Sequence, residues 1–152
     1  MLIAICYVAG ILAGSIAGAA HTGSGVSGFA SEMLRWVFLI SVGVPLLISS
    51  GFHTFRGEVS ARRLGWPPGN PFQTEVGIWD GAGGVIAVVA FWRHDGFWLA
   101  TVIAHSLFWT GAGIVHVREI VKERNLRADN LLPAVVNFLV PVTLISLYAL
   151  AS

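Results

Sequence analysis

The sequence contains very little charge, a single cysteine and none of the short motifs that mark the common enzyme classes. Only 11% of its 152 residues are charged, against about 25% in soluble domains. The lone Cys6 excludes an intramolecular disulfide and any CxxC redox or zinc-thiolate motif. GxSxG and Walker A motifs are also absent, and so is the full Rossmann fingerprint, a GxGxxG directly after a strand. The formal net charge of +1 is too small to indicate nucleic-acid binding.

Apolar residues make up 55% of the sequence and are gathered into five long blocks. Each block is close to the roughly 20 residues that cross a bilayer as a helix. The sequence therefore predicts an all-α integral membrane protein with one domain, residues 1–152, and five transmembrane helices. The predicted spans are Leu2–Ala20, Leu34–Phe52, Val76–Trp92, Phe97–Val117 and Leu131–Leu150.

The basic residues are distributed unevenly between the connections, and this predicts the orientation of the chain. Lys and Arg concentrate in the cytoplasmic loops of membrane proteins. One side of the five-span arrangement would carry only Arg35 and Arg93. The other side would carry Arg56, Arg62, Arg63, Arg118, Lys122, Arg124 and Arg127. We therefore expect the N-terminus to be cytoplasmic and the C-terminus to lie outside.

The first span carries glycines at four-residue spacing, namely Gly10, Gly14 and Gly18. On a helix these glycines share one face, and such a flat face lets another helix approach closely. The neighbour is either a helix of this chain or a helix of another chain. We expect this Gly-zipper helix to join a four-helix bundle formed by the other spans, and its small face favours a role in assembly.

The connection between spans 2 and 3 has the features of ordered structure. Glu58 and Arg62 stand four residues apart, as an ion pair on a helix does. This spacing predicts a short amphipathic surface helix. Pro67, Pro68 and Pro71 then exclude helix and predict a rigid turn into span 3.

Two further local signals concern spans 2 and 5. Pro45 lies inside span 2 and predicts a kink there, because proline removes a helix hydrogen bond. Asp129 or Asn130 is expected to cap the start of span 5.

Span 3 contains a carboxylate, Asp80, among glycines. Asp80 shares a helical face with Gly77, Gly81 and Gly84 at three- and four-residue spacing. Small residues on that face predict that it packs against protein and not against lipid. Ionisable groups inside spans are costly and are candidates for function.

Three side chains are expected at one depth near the cytoplasmic ends of three spans: His53, Glu75 and His116. Two histidines and a carboxylate form a common ligand set for iron, zinc or a similar transition metal. Glu119 lies one turn beyond His116, and Asp80 and His105 lie deeper. These three would act as partners of the ligands or as a proton path.

Each of these residues also has a structural interpretation, which the sequence leaves open. Thr74 could cap span 3, and Glu75 would then complement the helix dipole. His53 and His116 could extend to interfacial water. Asp80 could be a buried hydrogen-bond partner, and Cys6 a small core residue.

The stretch "RRLGWPPGNPFQTEVGIWDGAGGVIAV", followed by "ATVIAHSLFWTGAGIVHV", resembles a family of small bacterial multi-pass proteins of unknown function. The family's pattern is a Gly-Trp, a Ser-Pro-Phe-Gln-like turn and a Glu-Val-Gly that opens the next helix. Asn70 stands here where the pattern has Ser. The matching residues are Pro71, Phe72, Gln73, Glu75, Val76 and Gly77. The resemblance implies a bacterial inner (cytoplasmic) membrane protein.

Spans 2 to 5 are more remotely similar to the DoxX-like four-helix membrane proteins. Some of those proteins are linked to quinone redox chemistry, which the resemblance would imply here as well. The cysteines that serve redox chemistry in some related bundles are missing from this sequence.

The sequence favours a non-catalytic accessory subunit in a homo-oligomer or in a larger membrane complex, in contact with lipid. The alternative is a redox protein that binds a metal (Fe or Zn) or a quinone, with His53, Glu75 and His116 at the site. A small-ion transporter is the third hypothesis, with a wet path past Asp80 and His105.

Overall fold

The computed structural model describes residues 1–21, 23 and 25–152, and all regular structure in this part of the chain is helical. The all-α prediction is therefore confirmed. The elements are α1 (Leu2–Ala20), α2 (Gly25–Trp36), a π-helical segment (Val37–Gly43), α3 (Val44–Phe55), α4 (Gly57–Leu64), α5 (Phe72–Ala90), α6 (Gly96–Glu123) and α7 (Ala128–Ala151).

Four helices in the described ranges are long and apolar enough to cross a membrane. They are α1, α6, α7 and the continuous helix Gly25–Phe55, which comprises α2, the π-helical segment and α3. The predicted count of five is not confirmed, because α5 is not among them. Its first half carries Gln73, Glu75 and Asp80, which lower its apolar character.

Helix α5 nevertheless runs from one end of the bundle to the other. It begins beside His53, at the end of α3. It ends where Trp98 Nε1 donates a hydrogen bond of 2.7 Å to the Ala90 carbonyl. Arg35 Nε donates another, of 3.0 Å, to the Phe91 carbonyl. These two donors satisfy carbonyls that the end of a helix leaves without partners.

The two ends of the bundle differ in charge. The Met1 amino nitrogen lies 3.5 Å from Asp129 Oδ1, at the start of α7. At the other end of α7, Ser27 Oγ donates a 3.0 Å hydrogen bond to the Ala151 carbonyl. The termini thus lie at opposite ends. We call the end that carries Met1, α4 and the α6–α7 connection the basic end. It holds Arg56, Arg62, Arg63, Arg118, Lys122, Arg124 and Arg127.

The long helix from Gly25 to Phe55 supplies the centre of the core. Its α2 part packs on α1 and α7, whereas its α3 part packs on α5. Leu34, Phe38 and Val42 are fully buried along it. The helix starts earlier than the predicted Leu34, because Gly25–Trp36 is amphipathic and buries Ala30 and Leu34.

The sequence predicts a kink at Pro45, and the irregular backbone lies just before this residue. The chain forms the π-helical segment Val37–Gly43, and α3 then begins with Pro45 in its first turn. Pro45 cannot donate to the carbonyl four residues earlier, and its ring crowds that carbonyl. A π-helical turn is wider and pairs residues five apart, so it accommodates the proline without breaking the helix.

The glycine faces of α1 and α5 pack against other helices of the same chain. Gly10, Gly14 and Gly18 are buried on α1. A Cβ atom at Gly14 would lie 2.8 Å from Met33 Cα on α2. A Cβ atom at Gly84 on α5 would lie 3.0 Å from the Leu47 backbone nitrogen on α3. Both helix pairs therefore approach more closely than side chains would allow.

Candidate functional site

A cleft of about 590 Å³ opens at the basic end of the bundle. His53 of α3 lines it, together with the turn from Trp66 to Pro71. The start of α5 and the end of α6 form the remaining walls. They contribute Phe72, Gln73, Val76, Val115 and Glu119. A smaller cavity of about 290 Å³ shares His53, Asn70 and Gln73 with it.

The turn that carries Trp66 has a conformation determined by its sequence. Gly65 ends α4 with φ of 79°, a left-handed conformation that glycine adopts without strain. The Trp66 backbone N–H then donates a 2.9 Å hydrogen bond to the Ala61 carbonyl. At the far side of the turn, Asn70 Oδ1 accepts a 3.0 Å bond from the Phe72 N–H. The prolines between these points fix the backbone, so the Trp66 indole is held at the cleft.

A chain of asparagine hydrogen bonds ties this turn to α6 and α7. Asn125 Nδ2 donates to the Leu64 carbonyl at 2.6 Å. Asn130 Nδ2 donates to the Asn125 carbonyl at 3.1 Å, and Asn130 Oδ1 pairs with His116 Nδ1 at 2.7 Å. The sequence suggested Asp129 or Asn130 as a cap for α7. The structure instead places both residues inside the helix, which begins at Ala128 and has no side-chain cap.

The same bonds determine which nitrogen of His116 carries a proton. Asn130 Nδ2 faces two carbonyl oxygens, of Asn125 and His116, so the amide oxygen must face the imidazole. An amide oxygen only accepts, and His116 Nδ1 is therefore the donor. The Trp66 ring lies against this imidazole, with 5.1 Å between the ring centroids.

The proposed metal ligands do not come together. Across the residues that the structure describes, no group of three or more His, Cys, Asp or Glu side chains could hold a metal ion. Glu75 is exposed in the first turn of α5 and does not line the cleft. His116 Nδ1 already bonds to Asn130. The position of Glu75 fits the helix-dipole interpretation, although α5 starts at Phe72 and Thr74 is not its cap.

Two of the predicted residues, His53 and Glu119, do line the cleft. His53 Nδ1 and Trp66 Nε1 are both buried and have no hydrogen-bond partner in the described part of the chain. Buried polar atoms are normally paired, so such exceptions require an explanation. Trp79 Nε1, Ser106 Oγ and Trp109 Nε1 share this property but do not line the cleft.

Asp80 and His105 lie deeper and do not line the cleft. Asp80 is buried beside the Ser49 side chain of α3. His105 is fully buried, with Nδ1 2.8 Å from the Thr101 carbonyl and Nε2 3.0 Å from the Gly83 carbonyl. A neutral imidazole has one N–H and donates to only one of these oxygens at a time. His105 therefore links α6 to α5 through the Gly83 contact.

The sequence did not indicate the importance of Trp66, Asn125 and Asn130 for this end of the bundle. Trp66 was visible only as part of a Gly-Trp pair before a proline turn. Asn125 lies in the polar connection between α6 and α7, and Asn130 lies in the first turn of α7. Nothing in their spacing distinguishes a structural bond from exposure to solvent.

No curated protein and no solved structure shows significant similarity to this chain. One family matches over residues 1–152, and its description gives no function. This agrees with the expected membership in a small family of unknown function, whereas likeness to DoxX-like proteins and the Gly-Trp signature stay predictions. The chain belongs to DUF6790, a family of unknown function.

Proposed function

We propose that this chain is a five-span inner-membrane protein with its basic end in the cytoplasm. Large apolar side chains are exposed on the outer surfaces of α1, α5, α6 and α7, for example Ile16, Ile78, Leu107 and Val142. A bilayer would cover this surface, and exposed apolar side chains that lie together on several helices indicate such a contact. The excess of Lys and Arg at one end supports the orientation.

We further propose that the cleft at the basic end binds a small amphipathic organic molecule. The observation that carries the proposal is the cleft itself, about 590 Å³, whose walls combine apolar side chains with a few polar ones. Ligand pockets are concave and mostly apolar, with a small number of polar groups that orient the ligand. Phe72, Val76 and Val115 would hold the carbon skeleton of the ligand, and His53, Gln73 and Glu119 would contact its polar group.

Mass spectrometry of bound molecules tests this function. The chain is purified in mild detergent and extracted with organic solvent, as wild type, Trp66→Ala and Trp92→Ala. Trp92 is the matched control, because it is 64% exposed at the opposite end of the bundle. We expect one small molecule in the wild-type and Trp92→Ala extracts and its loss in Trp66→Ala. An empty wild-type extract, or equal recovery from all three proteins, would contradict the proposal.

An accessory subunit is the second candidate, and the outer face of α1 favours it. The glycine face of α1 is covered by the chain itself, so a partner would contact the opposite face. Ile5, Leu12 and Ile16 are exposed there at helical spacing. A partner helix or a second copy of this chain would cover them. A single-chain mass for the wild-type protein, when extracted in mild detergent, would contradict this candidate.

A further inference from the structure

Glu119 limits the charge of the molecule that the cleft can bind, given the ligand-binding function proposed above. It is the one formally charged residue among the described residues that line the cleft. Glu119 is half-buried, and none of the ion pairs within the described part of the chain uses it. A carboxylate that is partly removed from water loses hydration energy, which a positively charged partner restores. A ligand with a positive charge would supply the partner that the chain does not.

The path of α6 brings Glu119 close to the aromatic wall of the cleft. Glu119 follows His116 by three residues, so the two side chains share a face of the helix. The Trp66 ring lies against the His116 imidazole, with 5.1 Å between the ring centroids. The carboxylate and the indole therefore lie close together at the cleft, although they are distant in the sequence.

The lining also presents aromatic rings to a ligand. Phe72 at the start of α5 lines the cleft and is 65% exposed, so a ligand can reach its ring. Trp66 supplies a second ring in the lining. The face of an aromatic ring carries negative charge density and attracts organic cations. An anion would meet these rings and the Glu119 carboxylate without any attraction.

The basic residues at this end of the bundle do not reverse this preference. No Lys or Arg is among the described residues that line the cleft. Arg118 and Lys122 flank Glu119 on α6, and both are exposed to solvent. Salt screens exposed charges beyond about 10 Å, whereas a partly buried charge is screened much less. Contact with Glu119 therefore dominates the electrostatic energy of a ligand inside the cleft.

The rim of the cleft accommodates apolar groups attached to a charged centre. Val76 of α5 and Val115 of α6 line the cleft, and both are exposed. Helix α5 packs mainly on α3 and α6 mainly on α7, so the seam between α5 and α6 is less tightly closed. In the proposed membrane this seam faces lipid, and apolar substituents of a ligand can lie along it.

We propose that the cleft binds a lipophilic organic cation, that is, a positively charged centre that carries apolar substituents. The positive centre contacts the Glu119 carboxylate beside the rings of Trp66 and Phe72. The substituents lie against Val76 and Val115 and extend towards the seam. Charge complementarity with the single lining carboxylate selects this class over anionic and uncharged molecules of the same shape.

The test compares three molecules of similar shape and different charge. Tetraphenylphosphonium is the cation, tetraphenylborate is the anion of the same shape, and triphenylphosphine oxide is an uncharged relative. Binding of each probe to the purified full-length chain in a mild uncharged detergent is measured by equilibrium dialysis. Protein-free micelles give the uptake of each probe by the detergent, which is subtracted.

Four proteins are compared: wild type, Glu119→Gln, Glu123→Gln and Val115→Trp. Glu119→Gln removes the charge and keeps the shape, and its backbone carbonyl still accepts the Asn125 N–H bond. Glu123→Gln is the matched control, because it removes the same charge one turn further along α6, from an exposed residue outside the described lining. Val115→Trp fills the cleft from an exposed position, so it leaves the core intact.

We expect saturable binding of tetraphenylphosphonium with equal affinity to wild type and Glu123→Gln. Glu119→Gln should bind the cation about tenfold more weakly, because a contact between opposite charges is lost. Val115→Trp should show no saturable binding, and tetraphenylborate should not bind saturably to the wild type. Equal affinity of wild type and Glu119→Gln, or no saturable binding of the cation to the wild type, would overturn the proposal. An equal loss in Glu119→Gln and Glu123→Gln would also overturn it, because the effect would then come from overall charge.

The other two probes separate the failure of this inference from the failure of the ligand-binding function on which it rests. If the anion or the uncharged probe binds saturably and more tightly than the cation, and Val115→Trp abolishes that binding, the organic cation is overturned and the cleft stays a binding site. If Val115→Trp changes the binding of none of the three probes, both the cation and the cleft are overturned.

Discussion

Asn130 is the residue whose environment is most constrained at the basic end. Its side chain is fully buried, and both ends of its amide are used. The oxygen accepts from His116, and the nitrogen faces the Asn125 carbonyl. The Asn125 side chain bonds in turn to the Leu64 carbonyl. The position of the Trp66 turn therefore depends on a residue that does not line the cleft.

Replacing Asn130 by leucine should destabilise the protein strongly. The substitution keeps the volume similar but leaves the buried His116 Nδ1 and the part-buried Asn125 carbonyl with one partner fewer. Each such loss costs about 1–3 kcal/mol, so we expect a total of roughly 2–5 kcal/mol. The measurement is reversible unfolding in detergent, followed by far-UV circular dichroism.

The matched control is Asn70→Leu. Asn70 also makes a side-chain hydrogen bond, to the Phe72 N–H, but this bond is exposed to solvent. We expect its loss to cost less than about 1 kcal/mol, since water replaces the partner. Equal destabilisation by the two substitutions would show that the buried network does not hold this end of the bundle.

Glu75 shows which part of the site could be predicted at the residue scale. Helix geometry places Glu75 about 140° around α5 from Asp80. Asp80 is buried and Glu75 is exposed, as that angle requires. Depth along the helix suggested that Glu75 would meet His53 and His116. The rotation of α5 about its axis turns Glu75 away from these histidines. This rotation depends on packing between helices that are distant in sequence.

At the scale of the helices, the pairing of α1 with α2 depends on the absence of side chains where the two helices touch. A Cβ atom at Gly14 would lie 2.8 Å from Met33 Cα and 3.0 Å from the Met33 carbonyl oxygen. Backbone atoms cannot move aside as the end of a flexible side chain can. The sequence indicated the flat face of α1 correctly but left open which chain would cover it.

Gly14→Leu should therefore destabilise the folded chain itself. We expect a cost of about 1–3 kcal/mol or more, as for other overpacked interfaces, because α1 must move away from α2. Gly111→Leu is the control, since a Cβ atom there would meet nothing within 4 Å. Leucine also favours helix over glycine, so that variant should be neutral or slightly more stable.

The measurement is the unfolding temperature in detergent, combined with the molecular mass of the folded protein. If Gly14→Leu left the unfolding temperature unchanged and dissociated an oligomer, the glycine face would belong to an interface between chains. That result would reverse the arrangement of α1 and α2 described above.

At the scale of the whole molecule, the extent of α1 and the charge asymmetry could be predicted, whereas the helix expected to start at Leu34 begins at Gly25. The span Leu2–Ala20 coincides with α1. Apolar length and basic residues are local properties, and a sequence displays them directly. The cleft could not be predicted in this way, because α3, the Trp66 turn, α5 and α6 each contribute only part of its lining.

The position of the bundle in a membrane can be tested with single cysteines. In a Cys6→Ala background, Glu58→Cys places a thiol at the basic end and His94→Cys places one at the other end. We expect an impermeant maleimide to label His94→Cys in right-side-out membrane vesicles. It should label Glu58→Cys only after the vesicles are opened, because α5 would separate the two sites.

The unsubstituted Cys6→Ala chain is the control and should not be labelled. Labelling of both cysteines from the same side would mean that α5 does not cross the membrane and that the chain has four spans. Labelling of Glu58→Cys alone in closed vesicles would reverse the proposed orientation.

The π-helical segment Val37–Gly43 limits the insertions and deletions that the protein tolerates. It joins α2 and α3 into one helix, yet α2 packs on α1 and α7 whereas α3 packs on α5. Each residue in a helix accounts for about 100° of rotation. Deleting a single residue here would turn Ser49 and His53 away from α5 and leave α2 in place. We therefore expect the protein to tolerate an insertion or deletion in this segment less well than most substitutions.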